Sequence, residues 1–168
     1  MSALPLLRTL FNYRAWANDE LLQKMEGFDP EQHKDARHAA IRLMNHCHVV
    51  DQIFAAHLVG AKHGFLADNT QDTPTLQELR TAMAALDRWY LDYVAGLDQA
   101  QLAESIDFSF SNGAPGRMTR EEMLMHIAMH GDYHRGQVGL LLTKNPINFS
   151  AAPFTGYLHK AEASDRRR

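Results

Sequence analysis

Three histidines stand four residues apart late in the chain, at His126, His130 and His134. A helix turns about 100° per residue, so each step of four residues moves only about 40° around the axis, and the three imidazoles share one stripe. Imidazoles one turn apart can converge on a divalent metal ion that lies roughly 2.0–2.1 Å from each nitrogen. The spacing therefore predicts part of a metal site, formed by His126 and His130 or by His130 and His134.

The third ligand of such a site must come from another element. His46 and His48 lie in a second apolar segment, but they are about 200° apart around a helix, so only one of them can face a given metal. On spacing alone, either histidine is a candidate. Cys47 lies about 100° from His46 and is expected to be a buried thiol rather than a ligand. Asp51, roughly 140° from His46, is not expected to orient His46 directly but to hold a neighbouring helix or a ligand.

Four long helices are predicted to position these side chains. Apolar residues recur at helical spacing over about 4–25, 36–61, 76–97 and 120–144. Thr75 with Glu78, and Thr119 with Glu122, have the S/T-x-x-E form of a capping box, which predicts where the third and fourth helices begin. Pro146 predicts where the fourth helix ends.

Between the third and fourth helices the periodicity changes from that of a helix to that of a strand. Ile106, Phe108 and Phe110 alternate with polar residues and lead to Asn112-Gly113, a pair suited to the positive φ angles of a tight hairpin turn. We therefore expect an all-α fold, a four-helix bundle with a small β-hairpin excursion between helices 3 and 4. One short helical turn is expected near Tyr157.

The predicted fourth helix contains three glycines, Gly131, Gly136 and Gly139. Glycine inside a helix costs roughly 1 kcal/mol relative to alanine, so their presence predicts close approach by another helix. Arg135 and Gln137, which follow His134 closely, are expected to tie the first helix to the fourth.

Length and charge exclude several classes of protein. The chain has 168 residues and a net charge of −3 with neutral histidine, so nothing attracts it strongly to nucleic acid or anionic membrane. We expect a single helical-bundle domain over 1–160 and a disordered tail over 161–168. No apolar run approaches the length of a membrane span, and no signal peptide is apparent. The single cysteine excludes an internal disulfide and fits a reducing cytoplasm.

Three stretches carry a resemblance to a known family. Residues 13–18, YRAWAN, are similar to Y-N-x-W-A-N, with Arg14 where asparagine is usual. Residues 45–54, NHCHVVDQIF, are similar to N-H-x-x-x-x-D-x-x-W, with Phe54 in the tryptophan place. Residues 130–137, HGDYHRGQ, are similar to H-x-x-x-H-R-G-Q, the most specific of the three patterns. The chain thus resembles the DinB-like (YfiT-type) family of four-helix-bundle metalloproteins over most of its length.

The resemblance implies a mononuclear metal site formed by His46, His130 and His134. His126 then lies one turn before the pair, and His48 faces elsewhere. Three neutral imidazoles suit Zn²⁺ or Ni²⁺, and also Fe²⁺, and three protein ligands leave a position for a reactant. The family further implies a metal-dependent enzyme that activates water or a low-molecular-weight thiol, as a hydrolase or S-transferase. The expected partners are a small-molecule substrate and a second copy of the chain in a cytoplasmic homodimer.

Two other interpretations stay open at this point. The chain could be a non-catalytic metal-binding stress or interaction protein, in which the metal only stabilises the bundle. It could also be a plain helical homodimer whose histidines are core residues. A fourth protein ligand would indicate the first alternative, and absence of metal from untagged protein would indicate the second.

Overall fold

The structure is a computed structural model that describes residues 3–111, 113–149 and 153–161. Within these residues the elements in chain order are α1 (Leu4–Met25), α2 (Lys34–Leu58), α3 (Leu76–Gly96), α4 (Gln99–Leu102), β1 (Ser105–Ser109), β2 (Pro115–Thr119), α5 (Arg120–Lys144) and α6 (Phe154–Ala161). The four long helices form the bundle, in which α1 and α2 each pack against both α3 and α5. The predicted all-α fold with a small hairpin is confirmed, and a one-turn helix, α4, precedes the hairpin.

The helices begin and end largely where their caps dictate. The side chains of Thr75 and Thr119 each accept a hydrogen bond from the backbone amide three residues ahead. The carboxylate of the glutamate there accepts one from the backbone amide of the threonine, so both capping boxes form. The fourth long helix consequently spans the predicted residues. At α2 the cap residue His33 makes no side-chain cap bond, and the helix ends before Gly60, whose φ of 68° is left-handed. It therefore stops earlier than the periodicity indicated.

The hairpin packs one aromatic side chain against the bundle. β1 and β2 pair antiparallel, from Ser105 opposite Thr119 to Ser109 opposite Pro115. Gly113 has a φ of 83°, as a tight turn requires, while Asn112 lies outside the described residues. Phe108 is buried, and the glycine opposite it, Gly116, makes room: a Cβ there would lie 2.6 Å from the Phe108 ring.

A layer of buried polar side chains divides the core into two apolar halves. Phe11 and Tyr90 belong to one half, whereas Met25 and Met44 belong to the other. Between the halves, Arg14 of α1 forms ion pairs with Asp51 of α2 and Asp87 of α3. Asn18 donates to Asp87 at 3.0 Å and accepts from Arg135 of α5 at 2.9 Å. Asp51 and Arg135 thus join helices, as expected, and the layer connects all four long helices.

The segment after α5 returns across α1. α6 packs there through ring contacts, with centroids 5.3 Å apart for Tyr13 and Phe154 and 5.5 Å apart for Trp16 and Tyr157. Ala161, the first residue of the predicted tail, ends this helix, and 162–168 lie outside the described residues. In the part of the chain that the structure describes, no helix is long and apolar enough to cross a membrane.

Candidate metal centre

Where α2 packs against α5, three imidazoles come together. His46 of α2 meets His130 and His134 of α5, and one potential ligand atom from each lies within 4.8 Å of the other two. The shortest approach is 3.0 Å, between Nε2 of His46 and Nε2 of His130. All three rings are partly exposed. Among the described residues, the three-imidazole cluster is therefore formed by His46, His130 and His134, and not by a set that contains His126 or His48.

In two of the three rings, the nitrogen Nδ1 forms a hydrogen bond to an oxygen acceptor. Nδ1 of His46 lies 2.7 Å from the backbone carbonyl oxygen of Asp68, and Nδ1 of His134 lies 2.7 Å from the side-chain oxygen of Gln137. Carbonyl and amide oxygens only accept, so in each ring Nδ1 carries the hydrogen and donates. In the neutral ring the lone pair then resides on Nε2, the nitrogen that can bind an electrophile.

The loop that supplies the Asp68 carbonyl is fastened to the same turn of α2. Asn45, next to His46, donates to the side-chain oxygen of Asn69 and to the hydroxyl of Thr70, each at 2.6 Å. Asn69 in turn donates to the backbone of α2 at 3.0 Å. These contacts set the path of the loop, and the loop sets the orientation of the His46 ring.

The cluster favours neutral imidazoles. Burial lowers the pKa of His130 to about 3, helped by the neighbouring rings of His134 and His46. Burial also lowers the pKa of His134, although the hydrogen bond to Gln137 acts in the opposite direction. Neutral imidazole is the form that binds metal, so both rings are in the ligand state near neutral pH.

The three residues fit a divalent metal ion. Two nitrogens bound tetrahedrally to one ion at the usual bond length are about 3.3 Å apart, close to the observed separation of His46 and His130. Nδ1 of His130 is buried and has no hydrogen-bond partner among the described residues, so no contact there competes for its ring orientation. Within the described chain, no carboxylate or thiol joins the group. A set of three neutral nitrogens suits a borderline-soft divalent ion.

Three other candidates lie outside the cluster. The His126 ring stacks between Phe54 and His130, with centroids 4.7 and 5.4 Å away, and forms a wall beside the site. His48 lies on another face of α2, as expected, with its pKa lowered by burial. Cys47 is 1% exposed, and burial raises the pKa of its thiol to about 12, which makes it inert.

The sequence interpretation of Gln137 was wrong, because its side chain holds His134 instead of joining α1. Its spacing of three from His134 on one helix face could have indicated this contact. The glycine interpretation was also wrong in part. Gly139 is approached by the ring of Phe149, which is not in a helix, and Gly131 by Arg135 and Arg14. A Cβ on Gly136 would meet nothing within 4 Å.

A family model described as the DinB family matches residues 1–145 of the chain. The chain belongs to the DinB family. Searches of curated proteins and of solved structures found no match. The DinB membership agrees with the resemblance carried by the three motifs, and the most specific of them lies on α5, where it supplies two of the clustered imidazoles.

Proposed function

We propose that this DinB-family protein is a metal-dependent enzyme that binds one divalent metal ion through His46, His130 and His134. The observation that carries the proposal is the convergence of three imidazoles from two helices, with the Nδ1 atoms of His46 and His134 engaged by oxygen acceptors. The lone pairs of those two rings are thereby left for a cation. Neutral nitrogen ligands favour Zn²⁺ or Ni²⁺ as its occupant.

When bound, such an ion supplies a Lewis acid that can activate water or a thiol near neutral pH. The chain contributes orientation: the Asp68 carbonyl and Gln137 hold two rings, and Gln137 also donates to the Tyr133 hydroxyl at 3.3 Å. The stacked rings of His126 and Phe54, with centroids 4.7 Å apart, form an aromatic wall on one side of the site. Three protein ligands leave a position for a reactant, as catalytic sites do.

The reaction class that this arrangement supports is nucleophilic attack on a small molecule. A low-molecular-weight thiol as nucleophile makes the protein an S-transferase, and water makes it a hydrolase. Both need the same ligand set, so the choice between them is a matter for assay. The single cysteine is buried and unpaired, which suits a cytoplasmic enzyme that handles external thiols without forming disulfides of its own.

Metal analysis of untagged protein tests the site. We expect about one divalent ion per chain, and replacement of His130 or His134 by alanine should lower metal affinity more than tenfold, since loss of a ligand exceeds loss of its supporting contact. His48→Ala and His63→Ala, outside the cluster, should keep the wild-type content. Equal stoichiometry in all four variants, or none in the wild type at saturating zinc and nickel, would overturn the proposal.

Catalysis is tested separately on the loaded protein. Activated small-molecule electrophiles should be consumed with a panel of low-molecular-weight thiols, or with water alone, and turnover should stop when a chelator removes the ion. A protein that holds its metal but shows no turnover, with a fourth protein ligand at the ion, would instead be the non-catalytic metal-binding form.

A further inference from the structure

An open groove of about 840 Å³ lies between α1 and α5, away from the metal centre. On α5 its lining includes Met125, Met129, Gly136 and Leu140, which fall within about 60° of one another around the helix. Their mean direction is roughly 130° from that of the histidine pair on the same helix. The apolar part of the opposite wall, on α1, is formed by Leu10, Ala17 and Leu21. We call this site the α1/α5 groove.

The segment after α5 closes one end of the α1/α5 groove. Phe149, Pro153 and Phe154 line that end. The Phe149 ring packs so closely on α5 that a Cβ on Gly139 would lie 2.7 Å from it. These three residues follow position 145, where the match to the DinB family model stops. The closed end is therefore a feature of this chain that the family model does not cover.

The described side chains leave the α1/α5 groove unfilled. A Cβ on Gly136 would meet nothing within 4 Å. Met129 and Leu140, which line the groove, are 66 and 55% exposed. Concave, mostly apolar sites of roughly 300–1,000 Å³ are typical of pockets that bind small molecules, usually with a few polar groups that fix the orientation of the ligand. The volume and the lining of this groove agree with that description.

One polar group in the lining is held in place by two donors. The Oδ1 atom of Asp132 accepts hydrogen bonds from the Tyr13 hydroxyl at 3.1 Å and from Arg135 at 3.2 Å. Arg135 is buried, and its guanidinium carbon lies 5.6 Å from the centroid of the Tyr13 ring. Within the described chain no hydrogen bond reaches Oδ2 of Asp132, and this side chain is 64% exposed. A donor on a molecule in the groove can therefore bond to Oδ2.

The charges around Asp132 favour a donor that is uncharged. Arg135 already neutralises the Asp132 carboxylate, and Arg14 brings a second guanidinium to the lining. Nη1 of Arg135 and Nε of Arg14 lie 3.1 and 3.8 Å from the position that a Cβ on Gly131 would take. An ammonium group would meet these like charges, and a carboxylate would meet that of Asp132. A hydroxyl group avoids both repulsions.

We propose that the α1/α5 groove binds a small apolar molecule that carries one hydroxyl group. The hydroxyl donates to Asp132, and the apolar body lies between the α1 and α5 walls. The site is distinct from the metal centre, because the two lie on different sides of α5. Its occupation needs no bound ion, so the proposal stands or falls independently of the metal-dependent function.

Calorimetric titration with four probes of one chain length tests the ligand class. The probes are 1-octanol, octyl methyl ether, octylamine and octanoate. We expect 1-octanol to bind once per chain and the other three about tenfold more weakly or less, because none of them offers an uncharged hydroxyl donor to the carboxylate. Asp132→Asn puts an amide in place of the carboxylate and should weaken binding of 1-octanol about tenfold without changing that of the ether. Asp92→Asn, at an exposed position of α3, is the matched control.

A second pair of variants tests the location of the site. Gly136→Leu should abolish binding of 1-octanol, because the new side chain occupies open space in the lining. Gly96→Leu is the matched control, since a Cβ on that α3 glycine also meets nothing within 4 Å and the position is not in the lining. Circular dichroism should show unchanged helix content in both variants.

Equal affinity for 1-octanol and its ether, or tighter binding of octylamine or octanoate, would overturn the proposed ligand class. Failure of all four probes to bind would overturn the site itself, and sedimentation would then show whether a second copy of the chain covers the groove. Binding that persists in Gly136→Leu would place the ligand elsewhere and equally overturn the proposal. Metal content is a separate measurement, and its loss throughout would refute the metal site without affecting the groove.

Discussion

Gln137 accepts a hydrogen bond from His134 at 2.7 Å, one turn further along α5. Such contacts fix the tautomer of a ligand histidine, and their loss typically weakens metal binding tenfold or more. We expect Gln137→Ala to lower metal affinity about tenfold while helix content is kept. Competition with a chelating dye measures the affinity, and nitrogen chemical shifts of His134 in the metal-free variant report the tautomer.

Gln32→Ala is the matched control, since that glutamine is exposed before α2 and should leave both readouts unchanged. An unaltered affinity together with an unaltered tautomer in Gln137→Ala would show that the amide contact does not position the ring.

The lowered pKa of His130 predicts how the metal-free protein responds to acid. Its ordinary value is 6.5, and burial brings it to about 3 in the folded chain. As the pH falls below 6.5, His130 binds a proton in the unfolded chain but not in the folded chain, which favours unfolding. The contribution of neutral His130 to stability is therefore complete above pH 6.5 and declines as the pH falls towards its folded pKa. Denaturant unfolding of metal-free protein at about pH 7 and about pH 5 measures the effect.

His130→Gln should lose less stability than the wild type over this interval, because the group that titrates differently has been removed. His38→Gln, at an exposed position of α2, should follow the wild type. Parallel losses in all three proteins would contradict the assignment to His130.

At the scale of the elements, the capping boxes determine where α3 and α5 begin. We expect Thr119→Ala to lower the free energy of unfolding by about 1 kcal/mol, because it removes the acceptor for the amide of Glu122. Thr81→Ala, at an exposed position inside α3, should be neutral or slightly stabilising, since alanine is the better helix former there. Chemical denaturation measures the free energy of unfolding of both variants. Equal changes would show that the Thr119 cap does not stabilise the start of α5.

The bounds of α5 could be predicted from the sequence because both of its ends are marked chemically, by the Thr119 capping box and by Pro146. α2 has no comparable start signal, so its limits shifted by a few residues. Helical spacing also indicated that His130 and His134 share a face with each other, but not that His46 reaches them, which depends on how α2 packs against α5. The role of the Asp68 carbonyl follows from a loop path that periodicity does not encode.

At the scale of the whole molecule, Arg14 joins three helices through two buried carboxylates. Burial alone would lower its pKa, but Asp51 and Asp87 raise it, so the guanidinium stays charged. Arg14→Met should destabilise the protein by about 3–5 kcal/mol, because both carboxylates lose their cation inside the bundle. The difference in free energy of unfolding between Arg14→Met and the wild type should become smaller in acid, because Asp51 and Asp87 then take up protons. Unfolding by denaturant at several pH values measures both effects.

Arg80→Met is the matched control for this layer. Arg80 also contacts two carboxylates, Asp19 and Glu26, but both lie largely in solvent. Exposed ion pairs contribute little, so this variant should remain close to the wild type. Similar losses for the two arginines would show that burial does not amplify the Arg14 pairs.

The acceptor that orients His46 is a main-chain oxygen, and this has a consequence for divergence and engineering. Any residue at position 68 carries that oxygen, so the support survives replacement of the aspartate side chain itself. The hydrogen bond to His46 depends instead on the path of the loop. Insertions, deletions or loss of the contact between Asn45 and Asn69 should therefore disrupt it. Homologues can therefore differ at position 68 and still retain the arrangement, provided that the loop keeps its length.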